Sequence, residues 1–265
     1  MLHGLAIGLG AVCIGVIPIV TVQAAGHDAT PCDRAHFTIA IDPGHTREQP
    51  GAISARGVPE RAFNEALSAQ VVASLRHAGF AQTFATHPDD ATGIGLEDRT
   101  RVAAEHGARL FVSIHHDSVQ PQHLTGWSHR GVERRHTPRI RGHSLFVSGR
   151  GDEAAESLRF ARLLGAELGR RCLAPTLHHA EPVAGEDREL IDRALGIYRY
   201  DELAVLRTAT MPALLFEAGV IVHRGEEARL QRPAHRRLLA GALTRAAVAF
   251  CEGREPKRMA RTRCR

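Results

Sequence analysis

The sequence predicts a single α/β domain built on a mainly parallel, twisted sheet with helices on both faces. Three observations carry that expectation. The runs FTIAI (37–41), LFVSI (110–114) and PALLFEAG (212–219) have the length and the β-branched and aliphatic content of buried strands. The segments between the first two carry helical periodicity, so the order reads β-α-β-α-β, the signature of parallel strands joined by crossover helices. The chain has 265 residues, 43% hydrophobic and 24% charged, which suits one domain with a core of ordinary size.

Taken in order, residues 1–24 differ from the rest. Leu5 to Val22 is almost uninterrupted apolar sequence and closes on Val22, Gln23 and Ala24, with small residues at cleavage-type positions. The reading is a secretory signal peptide over 1–24; an uncleaved anchor is the alternative, and only that alternative brings in a membrane. A polar linker over 25–35 leads to the main domain, 36–252, and a basic tail covers 253–265. Within the domain, FTIAI is the first strand and a Gly- and Pro-punctuated loop spans 51–59. A helix starts at Glu60, repeating Phe63, Leu67, Val71 and Leu75 before Gly79 closes it. A strand is expected over 80–86 and a helix over 96–106, then the strand LFVSI. Residues 117–142, with the only tryptophan, Trp127, read as a long loop. A strand fits 143–148 and a helix 152–171; the stretch 173–200 resists assignment beyond a short helical pattern at 187–195. PALLFEAG is the last strand, and 233–251 a closing amphipathic helix.

The net charge is +5 and the pI about 9.3, so the protein should be drawn to anionic polymers, which in a cell envelope means wall glycan and its acidic peptides. With aromatics at 5% and no recognition-helix signature or aromatic-interleaved basic motif, nucleic acid is not an expected partner. Four cysteines lie beyond the leader, Cys32, Cys172, Cys251 and Cys264, with no CxxC pair. Two disulfides or four free thiols are both open; the favoured pairing ties Cys32 to Cys251 or Cys264, because domain termini often lie close together. Leader and cysteines together place the protein in an exported compartment, the periplasm.

Three strands end on groups that bind metal or move protons. Pro43 and Gly44 turn the chain at the end of FTIAI and present His45; LFVSI ends in His115 and His116; the last strand carries Glu217. In open α/β sheets this C-terminal lip is where ligands bind. A catalytic zinc site takes three protein ligands, and His45, Glu60 and His115 form such a set. Each has a plainer reading, a surface histidine or a glutamate favouring a helix N-terminus. Glu217 sits among Leu214, Leu215, Phe216 and Ala218, where burial raises a carboxyl toward the range of a general base; a structural ion pair with an arginine is its alternative.

DPGH at 42–45, Gly51-Ala52, Glu60-Arg61 with Asn64, the run Leu96, Arg99, Ala103-Ala104 leading to FVSIHHD, and PALLFEAG followed by Glu226 or Glu227 and Leu230 resemble the zinc-dependent N-acetylmuramoyl-L-alanine amidases, the amidase-3 family. The resemblance spans about residues 37–250. It implies one zinc ion held by His45, Glu60 and His115, with Glu217 catalytic, and hydrolysis of the amide joining N-acetylmuramic acid to L-alanine in peptidoglycan. It also implies that 118–211 is an insert, which in some members carries a helix covering the zinc until an activator protein displaces it. Glu181, Glu186 and Glu189 are the candidate acids of that stretch for reaching a metal; solvated surface acids are the plainer reading.

Departures from the pattern fall near the site. Thr46-Arg47 replace the two glycines usual after DPGH, His116 and Asp117 stand where Ala and Asn are common, and Val220, Ile221, Val222 and His223 replace F-x-S-N. They bear on substrate positioning and make His116 a further candidate ligand. A zinc wall peptidase or another N-acyl amidase would use the same residues; a non-catalytic wall-binding protein would have no need of a buried base.

Overall fold

Residues alternate between the two faces along each strand, and that alternation places a helical layer on both sides of the sheet. The computed structural model describes Met1, residues 32–87 and residues 94–256. The expected signal peptide, most of the linker and most of the basic tail lie outside the described residues. The elements are β1 (Ile39–Pro43), α1 (Glu60–His77), β2 (Phe84–Ala85), α2 (Leu96–Glu105), β3 (Leu110–Asp117), β4 (Thr125–His129), β5 (Val132–His136), β6 (Ser144–Val147), α3 (Ala154–Gly169), β7 (Leu190–Asp192), β8 (Ile197–Arg199), α4 (Ala204–Arg207), β9 (Ala213–Val220), α5 (Arg224–Leu230) and α6 (Pro233–Cys251).

Seven strands form one mixed sheet in the order β2-β1-β3-β9-β6-β8-β7. Parallel pairing runs from β2 to β9, β9 and β6 meet antiparallel, β6 and β8 are parallel, and β7 returns antiparallel on the edge. On one face Ile39, Ile41, Val112, Ile114, Leu214 and Phe216 pack with α1, α3 and α6; on the other Ala40, Phe111, Leu215 and Tyr198 pack with α2 and α4. The stripe Phe63, Leu67, Val71 and Leu75 of α1 is buried against the first face. Each such side chain contributes roughly 1.5–3 kcal/mol.

Several expected boundaries shift. The strand expected over 80–86 is reduced to two residues, because Phe80 to Thr83 form a turn in which Thr83 N and Oγ1 both donate to Phe80 O. The expected long loop after β3 contains the β4–β5 hairpin, where Trp127 Nε1 donates to Ala55 O. The helical pattern at 187–195 is instead edge strand β7 and a turn in which Asp192 accepts from Ala194 N and Leu195 N. The interval 118–211 is not an addition to a finished sheet: it supplies β6, β7, β8 and α3. Its stretch 178–192 holds no α-helix; its regular elements are a 3-10 turn at His178–Ala180 and strand β7. A disulfide joins Cys32 to Cys251, one of the two favoured pairings, 219 residues apart in sequence.

Candidate active site

Strand register brings the groups together. β3 and β9 are central neighbours with His115 opposite Glu217, and β1 lies on the other side of β3 with Pro43 opposite Ile114, so the turn after β1 overhangs the same lip. Gly44 N donates to Ile114 O at 2.9 Å, stitching that turn to β3. The next residue, His45, takes a left-handed conformation with φ of 71°, which costs a non-glycine residue on the order of 1–2 kcal/mol. Its surroundings hold it there. Arg99, only 2% exposed, donates to Asp42 Oδ1, Pro43 O and His45 O at 3.1, 3.0 and 3.2 Å. Asp42, fully buried, also accepts from Thr86 Oγ1 and Ser113 Oγ at 2.7 Å each. This carboxylate thus accepts three hydrogen bonds, one of them from a cation, which is what a buried charge requires.

Glu60 is the first residue of α1, and the loop before it satisfies the open N–H groups of the helix end: Glu60 N and Arg61 N donate to Ala52 O and Pro50 O. The loop is tied down in turn by Glu227, fully buried, which accepts from Ser54 Oγ and Arg56 N. Glu60 then reaches both histidines. Oε2 lies 2.9 Å from His45 Nε2 and Oε1 3.0 Å from His115 Nδ1, and donor atoms of the three residues lie within 4.8 Å of one another. Burial opposes ionisation of Glu60, but its hydrogen bonds with His115 and His45 outweigh it and hold the carboxyl well below the usual range. Two glycines make this approach feasible: a Cβ on Gly44 would lie 2.3 Å from His115 Nε2, and one on Gly51 2.5 Å from Glu60 Oε2.

Asn64, one turn along α1 from Glu60 and fully buried, orients the cluster from behind. Its Nδ2 donates to Gly44 O and Glu60 Oε1, and its Oδ1 lies 2.7 Å from His116 Nδ1. His116 is therefore turned away from the cluster, packed on the Phe63 ring, and burial holds its pKa down to about 3. The geometry gives it a supporting place and not a ligand's.

Glu217 faces the cavity beside the cluster. Burial first, then the nearby charges of Asp117 and Glu60, push its carboxyl well above the usual range, and among the described residues Oε2 has no hydrogen-bond partner. The cavity, about 290 Å³, is lined by His45, Glu60, His115, Glu217, Asp117 and His179 among others. His179 comes from the 178–180 turn. Its Nε2 lies 2.8 Å from Asp117 Oδ2 and its Nδ1 2.8 Å from Glu186 Oε2. Burial disfavours its charge, yet the two carboxylates outweigh that and raise its pKa to about 9. Of the three glutamates of the 178–192 stretch, Glu186 borders the cavity but bonds His179 and Gln120, Glu181 pairs with His123, and Glu189 with Arg199. Sequence reasoning noted Asp117 only as a departure and passed over His178 and His179; the HH dipeptide seven residues before Glu186 was the available signal.

The family model described as N-acetylmuramoyl-L-alanine amidase, Amidase_3, matches residues 39–249. The chain is 27% identical over 242 residues to the probable N-acetylmuramoyl-L-alanine amidase AmiB of Haemophilus influenzae, covering 83% of this chain and 53% of that one, so it spans about half of that relative's length. It is 28% identical over 219 residues to AmiA of Salmonella typhimurium, covering 80% and 75% of the two chains. In structure it is similar to the amidase Ami1 of Mycobacterium smegmatis, with a TM-score of 0.66 and 20% identity over 84% of this chain and 100% of that one, a likeness of fold.

Proposed function

Since this chain belongs to the N-acetylmuramoyl-L-alanine amidase family, we propose that it hydrolyses the amide between N-acetylmuramic acid and L-alanine in peptidoglycan, with His45, Glu60 and His115 holding one zinc ion and Glu217 moving the proton. The observation that carries this reading is the convergence of two imidazoles and one carboxylate within 4.8 Å, beside a strand-borne glutamate in register with His115. The donor set fits zinc: His₂Glu is a known catalytic combination, and the set is braced from behind by Asn64 and Arg99. When bound, zinc supplies a Lewis acid that polarises the scissile carbonyl and lowers the pKa of water from 15.7 toward roughly 7.

The rest of the reaction belongs to the chain's own residues. Glu217 Oε2, unpaired and at the cavity wall, accepts a proton from water as the carbon–oxygen bond forms. It returns that proton to the alanine nitrogen as the carbon–nitrogen bond breaks. The raised affinity of Glu217 for a proton suits it to hold one between these steps. Glu60 spends both oxygens on the two rings and is not available for this role.

The segment from His179 to Arg188 borders the cavity, so it is the surface on which an activator protein would act. The Cys32–Cys251 disulfide supports export to an oxidising compartment, the periplasm. Among the described residues, no helix is long and apolar enough to cross a membrane.

Mass spectrometry of the material released from purified peptidoglycan tests the activity. Intact stem peptides beginning with a free L-alanine amine, lost on chelation and restored by zinc, are expected. Shorter peptide fragments would move the activity to a peptidase, and the absence of any release, with the 178–188 segment displaced or mutated, would overturn it.

A further inference from the structure

A second convergence of ligand atoms lies at the end of the same central strand. Asp117 Oδ2, His178 Nε2 and His179 Nε2 come together within 4.8 Å, with His179 at 2.8 Å and His178 at 3.6 Å from the one carboxylate oxygen. A salt bridge to Asp117 needs one imidazole, and His179 provides it. His178 remains to be explained. It is 3% exposed; its Nε2 is buried, meets no acceptor at full hydrogen-bond geometry among the described residues beyond a looser approach to the Ser118 backbone, and points at a carboxylate beyond hydrogen-bonding length. Burying a polar atom short of a well-formed partner is costly, and a cation between the three atoms removes that cost.

The atoms behind the cluster are those that a metal centre uses. His178 Nδ1 lies 2.9 Å from Thr176 Oγ1, and Thr176 O is itself fixed by Tyr198 OH at 2.9 Å. His179 Nδ1 lies 2.8 Å from Glu186 Oε2, the carboxylate–histidine pairing that orients a ring and raises the basicity of its other nitrogen. Both rings are thereby oriented with Nε2 toward Asp117. Asp117 is also one of the positions at which this sequence departs from the pattern of its family.

We propose that Asp117, His178 and His179 bind a second divalent ion of the zinc class, distinct from the ion assigned to His45, Glu60 and His115. Two imidazoles and a carboxylate favour zinc and its late first-row neighbours over magnesium or calcium. An ion there ties the 178–180 turn to β3 at the cavity wall. The inference stands on its own ligands and does not depend on the reaction proposed above.

The test is metal stoichiometry of the zinc-loaded full chain after gel filtration, by native mass spectrometry and elemental analysis. The wild-type protein is expected to hold two equivalents, and the pair H45A/H115A one. The pair H178A/H179A should also hold one, and the four together none. A single wild-type equivalent that survives H178A/H179A and disappears in H45A/H115A would overturn the second centre while leaving the first; the reverse pattern would do the opposite. Because His178 is buried, Glu186→Gln supplies a milder variant. It should weaken the second equivalent about 10- to 100-fold and leave the first unchanged, and equal affinity for both equivalents in E186Q and wild type would count against the proposal.

Discussion

The two clusters at the end of β3 differ in what holds them. The first hangs on three elements whose positions are set by the sheet and α1: the turn after β1, the first residue of α1, and His115 in register with Glu217. Behind it stands a buried network, Asp42 with Arg99, Ser113 and Thr86, and Asn64 with Glu60 and Gly44. The second has one foot on β3, through Asp117, and the other on a three-residue turn in the connection between α3 and β7. Its bracing runs through Thr176 and Glu186, residues outside any helix or strand. The difference teaches that register can prearrange a site, whereas a site built partly on a loop has to be held together by its own ligands.

The sharpest way to probe the first region is Glu217→Gln. Turnover should fall on the order of 10²- to 10⁴-fold, the usual contribution of a positioned acid–base group, while zinc content stays at the wild-type value. A fully active Gln variant would remove Glu217 from the chemistry. Next comes Arg99→Met, which leaves the fully buried Asp42 without its cationic partner. Loss of about 3–5 kcal/mol is expected in urea denaturation; the zinc lost should be that of the first cluster, since no contact of Arg99 reaches the 178–180 turn among its hydrogen bonds. Equal loss from both clusters would mean that they are not held independently.

Asn64→Ala asks the same with a smaller change. By analogy with other residues that orient ligands, affinity at the first cluster should drop about 10- to 100-fold, read by competition with a chelator, with the second unaffected.

Acid should act beyond β9, next to β6. His143, 3% exposed at the start of β6, bonds Leu195 O through Nε2, and its backbone bridges to Ala174 and Thr176, two residues before His178. Burial lowers its pKa to about 4. The unfolded chain takes up a proton below about 6.5 and the folded one does not, so this stability is full above pH 6.5 and lost as pH falls toward 4. Roughly 2 kcal/mol should disappear between pH 7 and 5. A His143→Gln variant should show a shallower acid slope in denaturant titrations at those pH values, and an unchanged slope would point to another group.

The same contrast governs what the sequence made legible. β1, β3 and β9 could be read because each is a short apolar run between turn signals, and α1 because Phe63, Leu67, Val71 and Leu75 repeat at four-residue spacing. His45 and Glu60 were legible because they stand just past the end of β1 and at the start of α1; His115 and Glu217 lie inside β3 and β9, which run on to Asp117 and Val220, and stand out instead as ionisable groups after or within apolar runs. The edge beyond β9 was harder. β7 and β8 have three residues each, too short to show a period, and the local pattern at 187–195 suggested a helix where pairing with Tyr198 makes a strand. The 178–180 turn carries no periodic signal at all, so nothing in sequence spacing brings its histidines to Asp117, 61 and 62 positions away. Only the path of the chain through α3 and back to the sheet does that.

The bond between Cys32 and Cys251, at a sequence separation of 219, closes nearly the whole described chain into a ring. A protease that cuts once at the exposed tip of the β4–β5 hairpin, Arg130-Gly131, therefore releases nothing. The two pieces stay covalently attached, migrate together until a reductant is added, and remain within reach of one another to re-form the sheet they share.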